Sequence, residues 1–174
     1  RERTMKLKDM ILTSLLIAIG LVLHYVVPPI VGGMKPDFLL AMLFVALYID
    51  HSPKNALLAG LLAGTFSALT TGFPGGQVAN MVDKFVTAFA VMAMIKAFQS
   101  FNSNLTVLFT AFVGTVISGV VFLQTALFVV GSLPMAFSVL FTSIVIPAAL
   151  INTAVTFICY KVVFSTKSMI THKA

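Results

Sequence analysis

Charged residues are scarce in this 174-residue sequence, and that scarcity indicates the environment of the chain. They make up 9% of the residues, whereas 59% are hydrophobic. A soluble domain carries about 25% charged residues, so too few are present here to cover a water-facing surface. Because a membrane helix needs about 20 apolar residues, the length allows six or seven spans with short connections and no soluble domain beside them.

Motifs that carry catalysis are absent as well. The sequence has neither a Gly-x-x-x-x-Gly-Lys-Ser/Thr loop nor a His/Glu metal motif, so we expect it neither to use ATP by that route nor to hold a metal. Its single cysteine excludes an intramolecular disulfide. The carboxylates are Glu2, Asp9, Asp37, Asp50 and Asp83. These are too few for a relay of several carboxylates, and we expect no enzyme and no cofactor on this chain.

Six apolar runs remain when Gly, Pro and charge are taken as boundaries. They predict an all-α bundle of six transmembrane helices in one membrane domain, residues 1–174. The predicted helices cover residues 10–27, 38–50, 55–71, 78–98, 104–131 and 135–164. The second is short for a span, which takes roughly 17 residues or more, so we expect it to begin nearer Lys35 or to lie tilted among its neighbours. We expect Pro147 to kink the sixth.

Basic residues set the predicted orientation of the bundle. If the amino terminus is cytoplasmic, that side collects Arg1, Arg3, Lys6, Lys8, Lys54, Lys96, Lys161, Lys167 and Lys173. The outer side keeps Lys35, and Lys84 lies within a helix. The positive-inside rule therefore places both termini in the cytoplasm. The net charge of +6 does not indicate a nucleic-acid partner, because the basic residues fall singly at the edges of apolar runs.

The most informative segment runs from an outer Gly/Pro-rich loop into the fourth helix. It places Asp83 and Lys84 about one and a half turns inside the helix, where a charge costs roughly 3 kcal/mol and commonly marks function or an ion pair. Gln77 and Asn80 share helix faces with these charges. Phe73, in the loop, is a candidate to stack on an aromatic ligand.

Two interpretations of Asp83 and Lys84 stay open at this point. In the first, they bind a zwitterionic solute, with Asp83 toward its ammonium and Lys84 toward its carboxylate. In the second, they form interhelical salt bridges or lie at the level of the lipid headgroups, with Lys84 reaching toward water. The sequence favours the first slightly, because several polar residues converge on the same part of the helix.

Polar residues elsewhere supply further candidates. Lys35 and Asp37 lie between the first two helices, on the same outer side, where Asp37 would otherwise offset the dipole of the second helix and Lys35 would be solvated. Gln124, in the outer half of the fifth helix, is a candidate to hydrogen-bond a ligand or another helix. Asn152, deep in the sixth helix, is interpreted as an interhelical hydrogen bond.

Small residues mark surfaces where helices approach closely. In the third helix they form two neighbouring ridges at four-residue spacing: Ala56, Gly60, Gly64 and Ala68 beside Ala59, Ala63, Ser67 and Thr71. Two such ridges predict a helix that is packed on more than one side. The first helix carries a shorter pair, Ser14 and Ala18, which indicates an intramolecular contact or a surface for another subunit.

Motifs from about Leu7 to Val163 carry a resemblance to a known family. They are Pro28-Pro29, residues 32–37, residues 67–71, Phe73-Pro74, Gly76-Gln77, Asn80, Asp83-Lys84, Gly114-Thr115, Ser118-Gly119, residues 121–123, residues 147–149 and Asn152-Thr153. At these positions the sequence resembles the tryptophan transporter (TrpP) family of Gram-positive bacteria. The resemblance implies uptake of tryptophan across the bacterial cell membrane by a multi-pass protein.

That family is similar in size and topology to the substrate-binding (S) components of energy-coupling factor transporters. Such components have six helices, bind a vitamin or related solute outside, and dock on a module of one transmembrane subunit and two ATPases. Docking there uses an Ala-x-x-x-Ala pattern on the first helix, and the matching positions here are Ser14 and Ala18. The resemblance thus implies a tryptophan-binding subunit whose partners use the ATP.

Three alternatives remain beside this reading. The chain could be a self-sufficient secondary carrier coupled to an ion gradient, although such carriers often contain inverted repeats and none is found here. It could be an S component for a B-type vitamin. It could also be a membrane scaffold without a ligand, which saturable binding of a solute would exclude.

Overall fold

The computed structural model describes residues 7–28 and 36–171, with side chains as far as residue 166. This part of the chain forms six helices and no strand: α1 (Leu7–Val26), α2 (Phe38–Ile49), α3 (Pro53–Thr70), α4 (Gly76–Ala97), α5 (Ser103–Val130) and α6 (137–171). The all-α prediction is confirmed, and the predicted ends of the first five helices lie within three residues of those observed. By length and composition, α1, α4, α5 and α6 can each cross a membrane.

Helix α2 is the centre of the bundle. Every residue from Phe38 to Leu47 is buried, and the helix contacts α1, α3, α4, α5 and α6. A helix that is hydrophobic on all sides must be enclosed by protein or lipid, and at 12 residues this one is roughly 18 Å long. It begins at Phe38, because the Asp37 carboxylate caps it by accepting the Leu40 amide at 2.9 Å. The expectation that the helix begins nearer Lys35, which lies outside the described residues, is therefore wrong. The helix does lie among its neighbours, as the second expectation states, and its tilt stays a prediction.

Small residues bring α3 and α4 into close contact, as the sequence predicts. A Cβ atom added at Gly60 would lie 3.2 Å from the carbonyl oxygen of Lys84, and one added at Gly64 would lie 3.3 Å from the Cα of Met81. Helix α3 also contacts α1 and α2, so it is packed on more than one side. The α3 contact therefore fixes the backbone of α4 at the turn that carries its charged residues.

Helix α6 contains an irregular turn near its N-terminal end. Residues Phe141–Val145 are π-helical, and the Ile146 amide donates to the Phe141 carbonyl five residues earlier. The sequence predicts a kink at Pro147, and the structure has a π-helical turn just before that residue. Proline has no amide hydrogen to donate to the carbonyl of Ser143, which lies within this turn. Such π-helical turns occur frequently at functional sites.

Candidate functional site

A cavity of about 240 Å³ lies between α2, α4, α5 and α6. Its polar lining consists of Asp37, Asn80, Asp83, Lys84, Thr115, Ser118 and Asn152. The rest of its wall is apolar or aromatic: Leu40, Phe73, Gly119, Phe122, Leu123, Leu140, Ile144, Val145 and Ala148. A mostly apolar pocket with a few convergent polar groups is the usual form of a small-molecule site.

Three charged side chains meet at this cavity, and we call them the ion cluster: Asp37, Asp83 and Lys84. The Lys84 ammonium lies 2.7 Å from Asp83 Oδ2 and 3.0 Å from Asp37 Oδ2. The side chains of Lys84 and Asp83 are 2% and 1% exposed, whereas that of Asp37 is 34% exposed. Buried charges require partners, and here one cation serves two carboxylates, so the formal charge of the cluster is −1 when all three groups are ionised.

Hydrogen bonds from three helices hold the ion cluster in place. The Thr87 hydroxyl donates to Asp83 Oδ1 at 3.2 Å within α4. The Asp37 backbone amide donates to the Asn152 side-chain oxygen of α6 at 2.8 Å, while the Asp37 carboxylate caps α2. Asp37 thus joins α2, α4 and α6, so a ligand that contacts it would touch a point common to three helices.

The apolar part of the cavity is built around aromatic rings. Phe73 and Phe122 meet edge to face, with ring centroids 5.2 Å apart at an interplanar angle of 70°. Leu123, Leu140 and Val145 pack against these rings. A flat apolar group can extend such an edge-to-face arrangement, and an aromatic solute therefore suits this wall.

Gly119 of α5 makes room for the π-helical turn of α6. A Cβ atom added at Gly119 would lie 2.6 Å from Val145 Cγ1, a separation that real contacts do not show. Both residues line the cavity. The size of the apolar end is therefore set where Gly119 faces Val145.

The structure brings together most of the site residues proposed from the sequence. Asp37, Phe73, Asn80, Asp83 and Lys84 all line the cavity. The salt-bridge interpretation is confirmed for Lys84, which pairs with Asp37 at the start of α2. Ligand binding by Asp83 and Lys84 stays a prediction, although both residues line the cavity.

Gln77 and Gln124 do not line the cavity. Gln77 is exposed in the first turn of α4, where Gly76, Ala79 and Asn80 form the buried side. Gln124 is exposed on α5 beside a separate shallow depression. At about 100° per residue, Gln124 lies on the far side of α5 from Phe122, which explains why their nearness in sequence does not bring both to the site.

Sequence reasoning did not assign several wall residues to the site. Asn152 makes the predicted interhelical bond, but it also lines the cavity. On α5, Thr115, Ser118 and Phe122 recur at helical spacing and face the cavity together. That periodicity of polar and aromatic residues on one helix face was the signal available in the sequence.

The predicted docking pair lies on the outside of the bundle. Ser14 and Ala18 are exposed on α1, so they do not form the intramolecular contact that was one of their two interpretations. The Ser14 hydroxyl donates to the Met10 carbonyl at 2.9 Å. The pair therefore presents a surface of small side chains whose one hydroxyl is hydrogen-bonded within the helix. It is flanked by exposed Ile11, Leu15 and Ile19.

Comparison with known proteins settles the family. The family model described as Tryptophan transporter TrpP matches residues 6–169. The chain belongs to this family. The motifs that suggested the resemblance lie within the matched region, and with its long apolar helices the chain is a multi-pass protein of the plasma membrane.

Similar curated proteins come from three bacteria, and each is named "Probable tryptophan transport protein". The relative from Bacillus subtilis is 41% identical over 159 residues, which covers 91% of this chain and 92% of the relative. The relative from Clostridium acetobutylicum is 44% identical over 152 residues, covering 87% and 88%. The relative from Clostridium perfringens is 37% identical over 162 residues, covering 87% and 88%. No solved structure matches the chain.

Proposed function

We propose that this chain is the substrate-binding membrane subunit of an uptake transporter and that tryptophan is its solute. The observation that carries the proposal is the cavity itself, where an aromatic wall faces a buried ion cluster. A tryptophan molecule has both complementary parts, an indole for the wall and charged groups for the cluster. The names of the relatives support the same solute.

The test is a thermal-shift and calorimetric screen of the purified chain in detergent against the twenty amino acids and the common B vitamins. A ligand that binds the folded state alone raises the melting temperature in proportion to its affinity and concentration. We expect saturable stabilisation by tryptophan. A response to a vitamin would keep a binding subunit and change its solute, and no response across the panel would contradict the proposal.

All six helices cross the membrane in this proposal, with both termini in the cytoplasm. The distribution of basic residues supports that topology, and enclosure of the short α2 by five neighbours supports a crossing within the protein. Single cysteines at Gly72 and Ser100, in a Cys159→Ala background, test it with an impermeant thiol reagent. We expect labelling of intact cells at position 72 and not at position 100, and the reverse would overturn the orientation.

Energy comes from a partner module in this proposal. An energy-coupling factor transmembrane subunit and two ATPases would use the ATP, while this chain would hold no cofactor. The exposed small pair on α1 supports a docking surface there. In liposomes we expect tryptophan uptake with the module and ATP, and none with this chain alone. Uptake by the chain alone along an ion gradient would establish a secondary carrier instead.

Substitution of Ala18 by Phe tests the docking surface. A large side chain would separate the partner from α1, so we expect Ala18→Phe to lose co-purification with the module while tryptophan still stabilises the chain. Ala93→Phe on α4 is the matched control, since Ala93 is also an exposed alanine on a long helix. Equal co-purification of both variants would place docking elsewhere.

A further inference from the structure

We propose that the cavity recognises the ammonium group of its ligand through Asp37 and does not hold the ligand carboxylate through Lys84. This inference rests on the proposed function and sharpens it, because it defines the ligand class as a primary amine on an aromatic body. It also reassigns the charged residues: the sequence alone pairs Asp83 with the ammonium and Lys84 with the carboxylate.

The ion cluster has more negative than positive groups. Two carboxylates and one ammonium sum to −1 in a largely buried setting, where charges interact more strongly than in water. An incoming ammonium would neutralise this excess. An incoming carboxylate would raise the negative charge around a single cation, and would have to compete with two carboxylates already in contact with Lys84.

The two carboxylates of the ion cluster differ in accessibility. Asp83 is 1% exposed, and it already accepts bonds from Lys84 and Thr87. Asp37 is 34% exposed and lines the cavity. Its Oδ1 accepts the Leu40 amide and its Oδ2 accepts Lys84. Each carboxylate oxygen has about two acceptor sites, so Asp37 retains capacity for a ligand ammonium.

Lys84 is already paired with the two carboxylates of the ion cluster. Its ammonium nitrogen lies within 3.0 Å of two carboxylate oxygens, and its side chain is 2% exposed. Gly60 of α3 packs on the carbonyl of the same residue, which holds its backbone in place. Lys84 is therefore a positioning residue that holds Asp37 and Asp83 side by side.

Two of the four neutral polar residues that line the cavity, Asn80 and Thr115, point in the same direction. The Asn80 amide nitrogen donates to the Gly76 carbonyl at 2.9 Å, which leaves its side-chain oxygen as an acceptor. The Thr115 hydroxyl donates to the Ala111 carbonyl at 2.7 Å, which also leaves an acceptor. Both residues line the cavity, and acceptors favour a donor ligand such as an ammonium.

Tryptophan and two analogues, each of which lacks one of its charged groups, test the inference on the purified wild-type chain. The analogues are tryptamine, which lacks the carboxylate, and indole-3-propionate, which lacks the amine. We expect the dissociation constant of tryptamine to lie within about tenfold of that of tryptophan. We expect indole-3-propionate to bind more than about a hundredfold more weakly, because it leaves the carboxylate of Asp37 without an ammonium partner.

Each other outcome of this comparison has a defined meaning. Tryptophan binding without tryptamine binding would overturn the inference and leave the proposed function standing. Indole-3-propionate binding as tightly as tryptophan would overturn it as well. Failure of all three ligands to bind would overturn the inference together with the proposed function.

Variants of the ion cluster separate the two roles. Asn is as good a helix cap as Asp, so Asp37→Asn is expected to keep α2 capped. The same variant is expected to weaken the binding of tryptophan and of tryptamine by the same factor. Lys84→Gln is expected to leave the ratio of the two dissociation constants unchanged. A loss of tryptophan binding alone in Lys84→Gln would show that Lys84 holds the carboxylate. If that variant does not fold, the ligand series on the wild-type chain decides the question.

Discussion

The two faces of α4 contrast in how closely they are packed. Toward α3, glycines bring backbone against backbone, and no side chain separates Gly60 from the Lys84 carbonyl. Toward α5 and α6, the same turn of α4 faces the cavity of about 240 Å³. A binding group needs both conditions, because a close-packed support fixes its position and an open face leaves room for the ligand.

The largest expected effect comes from removing the cation that joins the two faces. Lys84→Met leaves two carboxylates without their shared partner, and breaking a buried pair costs about 3–5 kcal/mol. We expect a loss of about 3 kcal/mol in the free energy of unfolding, since Asp37 is partly exposed. Reversible unfolding in mixed micelles measures it, with the exposed Lys96→Met on the same helix as control. Equal stabilities would show that the ion cluster does not support the fold.

A bulky residue at Gly60 breaks the close-packed face directly. Valine there would press on the Lys84 carbonyl and on Ala88, and overpacking of this kind costs about 1–3 kcal/mol. We expect a lower melting temperature and weaker tryptophan binding together. Gly72→Val is the control, because a Cβ atom at Gly72 meets nothing within 4 Å. A stable Gly60→Val chain would contradict the tight α3–α4 contact.

On the open face a smaller loss of binding is expected, together with a shift of Val145, which a Cβ atom at Gly119 would meet at 2.6 Å. Gly119→Ala adds a methyl group against Val145 at the apolar end of the cavity. A single methylene in an apolar pocket commonly changes affinity by about tenfold or more, so we expect tryptophan to bind about tenfold more weakly. Calorimetric titration measures this change, and Gln124→Ala, outside the cavity on the same helix, should leave affinity unchanged. Loss of binding in Gln124→Ala alone would restore the sequence-based assignment.

The packed face was predictable from the sequence, whereas much of the open face was not. Four-residue spacing of Gly60 and Gly64 has one physical use, close approach of helices. Charges within an apolar run, such as Asp83 and Lys84, identify themselves by their cost. Single-helix patterns therefore located the support and part of the ion cluster.

What the sequence could not supply is the meeting of distant helices. Lys84 pairs with Asp37, 47 positions away in the chain, and Asp37 in turn bonds Asn152 of α6. No local pattern encodes such pairings. The π-helical turn that brings Val145 to Gly119 depends likewise on packing between α5 and α6, and the exclusion of Gln124 follows from the rotation of α5 about its own axis.

The most direct test of the central claim uses the fact that the sequence of this chain contains no tryptophan residue. Indole emission, excited at the red edge where tyrosine does not absorb, then reports the added ligand alone. Against the purified chain freed of endogenous ligand, we predict a saturable blue shift of this emission, because the indole leaves water for a wall of Phe73, Phe122 and aliphatic side chains. Gly119→Ala should shift the saturation to higher tryptophan concentration. Emission that stays as it is in water at every protein concentration would contradict the assignment of this cavity as the tryptophan site.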